Sequence, residues 1–462
     1  MKTGKRGLSL ITLLLLAGCA TSLPKIEEEK LPPVPAEFKE NWTIAAPAAA
    51  QPRGEWWKAF NDPVLDALVE RASQSNARIE VAAARLRQAR AFVRATDADR
   101  SLQVGVGASA QRAQGFVGGN DGPPRSLFLA GADLSYEVDL FGRLSHASNA
   151  AALDAQAREA LLQSTRLLVQ AQVAQAYLAL RALDDERFLV RNTLTAYRAT
   201  LALTERRWRA GDVAELDVAR AATEVAATES EALALDRRRA ELEHGLAVLL
   251  GEVPSAFQVA PDEWKSALPL IPAGVPSTVL TRRPDVAAAQ NQMLATQARI
   301  GVAKAAYFPN VSLTGFGGYA STDISDLFQW SSRAWLLGAF ASLPVFDGGR
   351  RKAGVESASA DLDGAVATYR EQILVAFKDV EDQLAALRLL ADQSEAQARA
   401  VASASRTTSL SDTRYRAGYV SQLELLDAQR SELRNRREEL QVRSARYQST
   451  VALVRALGGG WE

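Results

Sequence analysis

One cysteine, two histidines and two methionines are all that 462 residues contain of the side chains that bind soft metals. A single cysteine excludes an intramolecular disulfide and any multi-cysteine metal site. Two methionines leave little for a thioether route for soft metals. His146 and His244 stand alone, with no ligand spacing around them. Charge of one sign is not in excess either: 54 basic residues face 54 acidic ones. That balance removes the general case for nucleic-acid binding, which wants a basic surplus. No P-loop occurs, and Gly315-x-Gly317-Gly318 lies in a β-like run with no helix after it, so it is not a dinucleotide fingerprint. The expectation is no enzyme, no cofactor and no metal site.

Glycine and proline are missing over unusually long stretches. Arg143 to Ala210 has neither, and the run is rich in the strong helix formers Ala, Leu, Gln, Glu and Arg. As one helix it would extend about 100 Å. Gly211 ends it, and Asp212 to His244 is again free of both breakers. Arg350 to Ala417 has no proline and only Gly354 and Gly364 near its start; Gly418 ends it, and Tyr419 to Leu457 follows without a breaker.

These are two copies of one unit. Arg207-Trp208-Arg209-Ala210-Gly211-Asp212-Val213 lies over Arg414-Tyr415-Arg416-Ala417-Gly418-Tyr419-Val420, 207 residues on. Leu216 falls on Leu423, Asp217 on Glu424, Gly142-Arg143 on Gly349-Arg350 and Asp154 on Asp361. Gln88-Ala89-Arg90 matches Gln297-Ala298-Arg299 after a small indel. A repeat this long is a duplicated half, not a solenoid unit. A length that suggests about three ordinary domains is therefore organised otherwise.

Each half carries a β-like section before its long helix. Leu102, Val104, Val106, Ala108 and Ala110 alternate with polar or small residues, and Phe128, Ala130, Ala132, Leu134, Tyr136, Val138 and Leu140 alternate with Asp133, Ser135, Glu137 and Asp139. The second half offers Val311, Leu313 and Tyr319, then Trp335, Leu337, Ala339, Ala341, Leu343 and Val345, less cleanly because Leu336 and Phe340 fall on the polar face. Period-two alternation with one polar face suits a barrel strand between lipid and water; a small soluble sheet would alternate too. Four strands cannot close a membrane barrel, and an open edge in lipid leaves unpaired backbone groups. Two chains would give eight strands and a filled interior, three would give twelve and a passage.

The N-terminus holds Lys2, Lys5 and Arg6, then an apolar Leu8 to Leu16 too short to span a bilayer, then Leu16-Ala17-Gly18-Cys19. This looks like a bacterial lipobox, cut before Cys19, whose new N-terminus carries acyl chains worth about 0.8 kcal/mol per buried CH₂. Ala20 rather than aspartate follows, which implies sorting to the outer membrane. Pro24, Pro32, Pro33, Pro35, Pro47 and Pro52 then read as an extended tether.

Taken together, the chain resembles the outer membrane factor family, the TolC- and OprM-like channels of Gram-negative tripartite efflux systems, and within it the NodT-type lipoproteins. The residues that carry the resemblance run through the whole chain. They are Trp56-Trp57-Lys58-Ala59-Phe60 with Asp62-Pro63, Leu249-Leu250-Gly251, Arg282-Arg283-Pro284-Asp285-Val286, Tyr307-Phe308-Pro309, Phe346-Asp347 with Gly349-Arg350, and Ala456-Leu457-Gly458-Gly459-Gly460-Trp461. The resemblance implies a membrane α+β fold with internal duplication. In it, a trimeric outer-membrane β-barrel of four strands per protomer, twelve in all, continues into a long periplasmic α-helical barrel.

The expected divisions are a signal peptide (1–18), a lipidated tether (19–55), a first repeat (56–250), an equatorial linker (251–276), a second repeat (277–457) and a tail (458–462). Strands are expected near 101–112, 126–140, 309–322 and 333–346. By the same resemblance, Gly211 with Val213 and Gly418 with Val420 would be the periplasmic tips on which a membrane-fusion adaptor docks, itself bound to an inner-membrane pump. Asp217 and Tyr415 occupy positions that tie related channels shut. Leu423, Glu424 and Asp427 would line the constriction; Glu424 and Asp427 are three apart and share a helix face, and around a threefold axis each becomes a ring of carboxylates. Arg430, three residues further, is placed to tether Asp427. Val420 stands where TolC has an arginine tie, which implies fewer polar ties here.

The implied function is a passive exit duct for drugs or other small toxic compounds, the outer-membrane part of an RND-type pump, with homotrimer, adaptor, pump and outer-membrane lipid as partners and no nucleic acid. Two alternatives remain at this point: a duct for type I protein secretion, and a non-conducting coiled-coil lipoprotein.

Overall fold

The computed structural model describes residues 23–26, 31–35, 38–39, 54–114, 124–271, 279 and 282–459. Cys19, the signal segment, most of the tether and the tail from Gly460 lie outside the described residues. The elements are a short 3-10 turn (Trp56–Phe60), α1 (Pro63–Ser75), α2 (Ala77–Ala98), β1 (Gln103–Ala113), β2 (Arg125–Val138), α3 (Arg143–Arg209), α4 (Glu215–Leu249), α5 (Pro284–Ala305), β3 (Asn310–Ser321), β4 (Arg333–Ser342), α6 (Arg350–Arg416) and α7 (Gln422–Ala456). Helices α2 and α5 each have 22 residues, α3 and α6 each 67, α4 and α7 each 35. These three helices of each half thus match in length, while β1 and β2 have 11 and 14 residues and β3 and β4 have 12 and 10. None of the described helices is long and apolar enough to cross a membrane.

The chain divides into two compact units. The first comprises Met1–Pro32, Ala84–Ala160 and Ala288–Glu371, and holds the sheet. Its strands run β1-β2-β3-β4, antiparallel throughout, so among the described residues β1 and β4 are open edges. Register fixes the two faces. Val104 pairs with Leu134, Leu134 with Gly315 and Gly315 with Leu337, so these share one face with Phe128, Ala132, Tyr136, Leu313, Tyr319 and Trp335. Asp133, Ser135, Glu137, Ser312 and Thr314 lie on the other, joined there by Leu336 and Phe340. β4 stops at Ser342, short of the expected 346. Pro344 can donate no ladder bond, and Asp347 turns the chain by accepting from the backbone N–H of Gly349 (3.1 Å) and Arg351 (3.2 Å) to start α6.

The second unit comprises Pro33–Ala83, Leu161–Ala287 and Gln372–Glu462. α3 and α4 pair through Leu183, Val190, Ala232 and Leu235, with Leu242 and Leu433 against them. Leu183 and Val190 are one heptad apart, the spacing that keeps a seam on one side of a long helix. Burying each such side chain stabilises by about 1.5–3 kcal/mol. Near Trp56 the packing is aromatic: Trp264 and Tyr447 lie 4.5 Å apart between centroids, and Phe60 and Tyr447 6.1 Å.

Asp62 joins three segments of this unit. Its carboxylate caps α1 through the N–H of Val64 (3.1 Å) and Leu65 (3.2 Å), and accepts from the hydroxyls of Tyr177 and Ser266 (2.7 Å to the latter). Burial is the main reason the Tyr177 phenol is pushed up to about 12, so it remains a donor. Arg181 bonds Tyr177, Asp184 and the Ala260 carbonyl, while Arg239 bonds Asp184 and the Val259 carbonyl. Breaking such a buried network by removing one partner costs about 3–5 kcal/mol.

Candidate gate and docking tips

The two hairpin turns are built alike. At the end of α3, Gly211 has φ +84°, its N–H reaches the Trp208 carbonyl (2.9 Å), and the Asp212 N–H reaches the Arg207 carbonyl (2.9 Å). At the end of α6, Gly418 has φ +81°, with Gly418 N–H on Tyr415 (3.0 Å) and Tyr419 N–H on Arg414 (2.9 Å). Each is a helix C-terminal reversal that needs a left-handed residue. No atom lies within 4 Å of where a Cβ would stand at either glycine, so φ and not space demands glycine there. Both glycines are exposed, and Val213 and Val420 beside them are half-buried. α7 starts on Ser421, whose hydroxyl accepts from the Glu424 N–H (3.3 Å); α4 has no side-chain cap.

The tip residues singled out in the sequence are only partly brought together. Tyr415 is 3% exposed, and its hydroxyl lies 3.3 Å from that of Thr204. The Arg207 guanidinium sits 4.8 Å from the Tyr415 ring centre and donates to the Tyr415 (3.4 Å) and Arg416 (3.3 Å) carbonyls. A cation at these last carbonyls complements the negative end of α6. Asp217 does not meet Tyr415 within the chain; its ion-pair partner is Arg220, at 3.7 Å.

The expected Arg430–Asp427 tether is also replaced. Arg430 pairs with Glu224 of α4, and that hydrogen bond is the main cause holding its pKa up; Asp427 acts on it only at longer range. The Glu224 side chain is 14% exposed, against an open Asp427 one turn back. A carboxylate shielded from water attracts a guanidinium more strongly than a solvated one. Leu423, Glu424 and Asp427 themselves project into solvent from the first turns of α7.

Two further cross-hairpin links were not singled out in the sequence. Arg437 of α7 binds Glu186 of α3 (2.7 Å) and also Glu231 of α4. Burial would lower the Arg437 pKa, but the two carboxylates raise it above the ordinary value. Tyr197, packed beside them, has a buried hydroxyl with no hydrogen-bond partner, and burial pushes it up to about 12. Arg207 could have been found, since it stands in the repeated motif; Glu224 could not, because only the fold brings α4 beside α7. Among the described residues no cluster of three or more His, Cys, Asp or Glu could hold a metal ion.

The family profile described as Outer membrane efflux protein matches this chain twice, over residues 68–252 and 275–459. The chain belongs to the outer membrane efflux protein family. The two matches begin and end 207 residues apart, the displacement of the repeated turn motif. The chain is 33% identical to the cation efflux system protein CusC of Escherichia coli O6:H1, over 97% of each chain. It is 33% identical to the solvent efflux pump outer membrane protein SrpC of Pseudomonas putida, over 99% of this chain and 98% of that one. Its fold matches the solved outer-membrane channel OprN with a TM-score of 0.88 at 32% identity, over 95% of this chain and 99% of that one. Outer membrane efflux proteins are channel components, not an enzyme family.

Proposed function

We propose that three copies of this chain form the outer-membrane exit duct of a tripartite efflux pump. The observation that carries the reading is the sheet: four strands, one apolar face, one largely polar face and two open edges. Such edges are untenable in lipid unless β4 of one copy pairs with β1 of the next. Three copies close twelve strands around a polar lumen, and the long hairpins continue it as an α-helical barrel in the periplasm. Cys19 anchors the chain to the membrane by its acyl chains.

The duplication supports a ring and names a seam contact. Within one chain the first tip grips the second, Arg207 and Thr204 holding Tyr415. Shifted by one repeat, Arg414 and Ser411 hold Trp208 of the next copy. In the single chain Arg414 is exposed and its guanidinium has no bonded partner among the described residues, Ser411 is 6% exposed and Trp208 43%.

The duct does no chemistry of its own; it opens when an adaptor docks on the Gly211 and Gly418 turns and an inner-membrane pump, of RND type, delivers cargo. Glu424 and Asp427 form carboxylate rings above the closed tip, and Arg430–Glu224 with Arg207–Tyr415 hold each protomer's hairpins together. Cargo is set elsewhere: relatives of equal identity are named for cations and for solvent. Deleting the gene and challenging the cells with a panel of drugs, dyes and metals tests the proposal. Heightened susceptibility to at least one compound is expected; unchanged tolerance of every compound contradicts it.

A further inference from the structure

The apolar face of the sheet ends differently at its two ends. On β2 it runs from Phe128 to Val138, ten residue steps, which on a strand tilted about 40° rises about 26 Å. That is the height of the apolar band of an outer-membrane barrel, about 25 Å. At the end from which the helices leave, the face closes on apolar residues, Val104, Val138, Val311 and Ala341. At the other end, where β1 joins β2 and β3 joins β4, each strand's last position on this face is polar. These positions are Arg112, Ser126, Ser321 and Arg333.

The two arginines stand on the two edge strands. Arg112 is exposed, and its guanidinium has no bonded partner among the described residues. Arg333 donates through Nε to the Trp330 carbonyl (2.7 Å), with its guanidinium carbon 3.2 Å from the Trp330 ring centre. Neither has a carboxylate partner among the described residues. The stacked Trp330 is 72% exposed and Trp335, next on the face, 79%, the amphipathic aromatics that favour a headgroup boundary.

We propose that Arg333 of one copy and Arg112 of the next clamp the phosphate of a phosphorylated glycolipid in the outer leaflet of the outer membrane. The inference rests on the duct reading, because it needs the loop end of the sheet to face outward and the edges to be joined. Edge-to-edge closure makes β4 and the next β1 neighbours, and so places both cations at each seam, with the serines between seams. Guanidinium groups bind phosphate by paired, charge-assisted hydrogen bonds. The exposed face beneath them takes the acyl chains.

The test uses purified trimer in detergent and diphosphoryl lipid A as probe, with dephosphorylated lipid A and phosphatidylglycerol as comparison lipids. Unaltered protein is expected to bind the diphosphoryl form about tenfold more tightly than the dephosphorylated one. Arg112→Ser with Arg333→Ser should abolish the preference, while Arg125→Ser, at the same end but on the opposite face, should keep it. Equal affinity for the two forms of lipid A overturns the clamp, as does a preference that survives the double substitution. Equal affinity for phosphatidylglycerol overturns the glycolipid assignment. Should the double variant not assemble, each single substitution is expected to weaken the preference severalfold, and no weakening counts against the clamp. Conductance in phosphatidylcholine bilayers, of the unaltered protein and of Arg430→Ala with Tyr415→Ala, reads the duct separately. Lipid preference without conductance sinks the duct, and conductance without lipid preference sinks the clamp.

Discussion

At Gly211 and Gly418 a single torsion decides which residue the chain can use. Both have positive φ and open space around the missing Cβ, so alanine meets no clash but must take a left-handed conformation. Gly211→Ala and Gly418→Ala should each cost about 1–2 kcal/mol in denaturant unfolding. Gly364 is an exposed glycine inside α6, with no positive φ, so Gly364→Ala should stabilise by about 0.5–1 kcal/mol. Equal effects at tip and helix would refute the torsional account. Two carboxyls give a pH dependence. Burial would raise both Asp236 and Glu432, but arginine bonds from Arg187 and Arg191 hold Asp236 below its ordinary value. Hydroxyl bonds from Thr408 and Ser405, with Arg436 nearby, do the same for Glu432. A depressed folded pKa stabilises above the unfolded value and is lost as pH falls through the folded one. Thermal stability should therefore drop as pH falls below the ordinary carboxylate range, and Glu432→Gln with Asp236→Asn should flatten that drop.

Among the elements, the hairpins were legible because their signal is local. Helix formers without glycine or proline, ended by a glycine, fix α3, α4, α6 and α7 to within a few residues. The strands were legible from alternation, apart from the early end of β4 at Pro344. What sequence spacing could not give was the partner of each charge. Arg430 stands three residues from Asp427, yet it spans to Glu224, 206 residues earlier in the chain, because packing of α7 on α4 shields that carboxylate. Within the chain, Tyr415 likewise meets Thr204 and Arg207, contacts that only the fold brings together. The repeat, however, converts an observed contact into an expected one. Trp208→Cys with Arg414→Cys should give disulfide-linked dimers and trimers on a non-reducing gel after mild oxidation. Monomer alone would contradict a ring in which the halves alternate.

For the whole molecule, near-zero net charge with both signs mixed is what the proposed duct needs, since it would meet water on its inner and its outer surface. In the proposed duct, closure at the tip would rest on contacts within and between protomers, and removing them should open it. Arg430→Ala combined with Tyr415→Ala removes one of the two α7–α4 ties, leaving Arg437–Glu231, and the buried ring that Arg207 covers. The most direct measurement is single-channel conductance of the purified protein in planar lipid bilayers. The account predicts small conductance steps for the unaltered trimer and steps several times larger for the double variant. Silence from both, with the trimer intact, would contradict it.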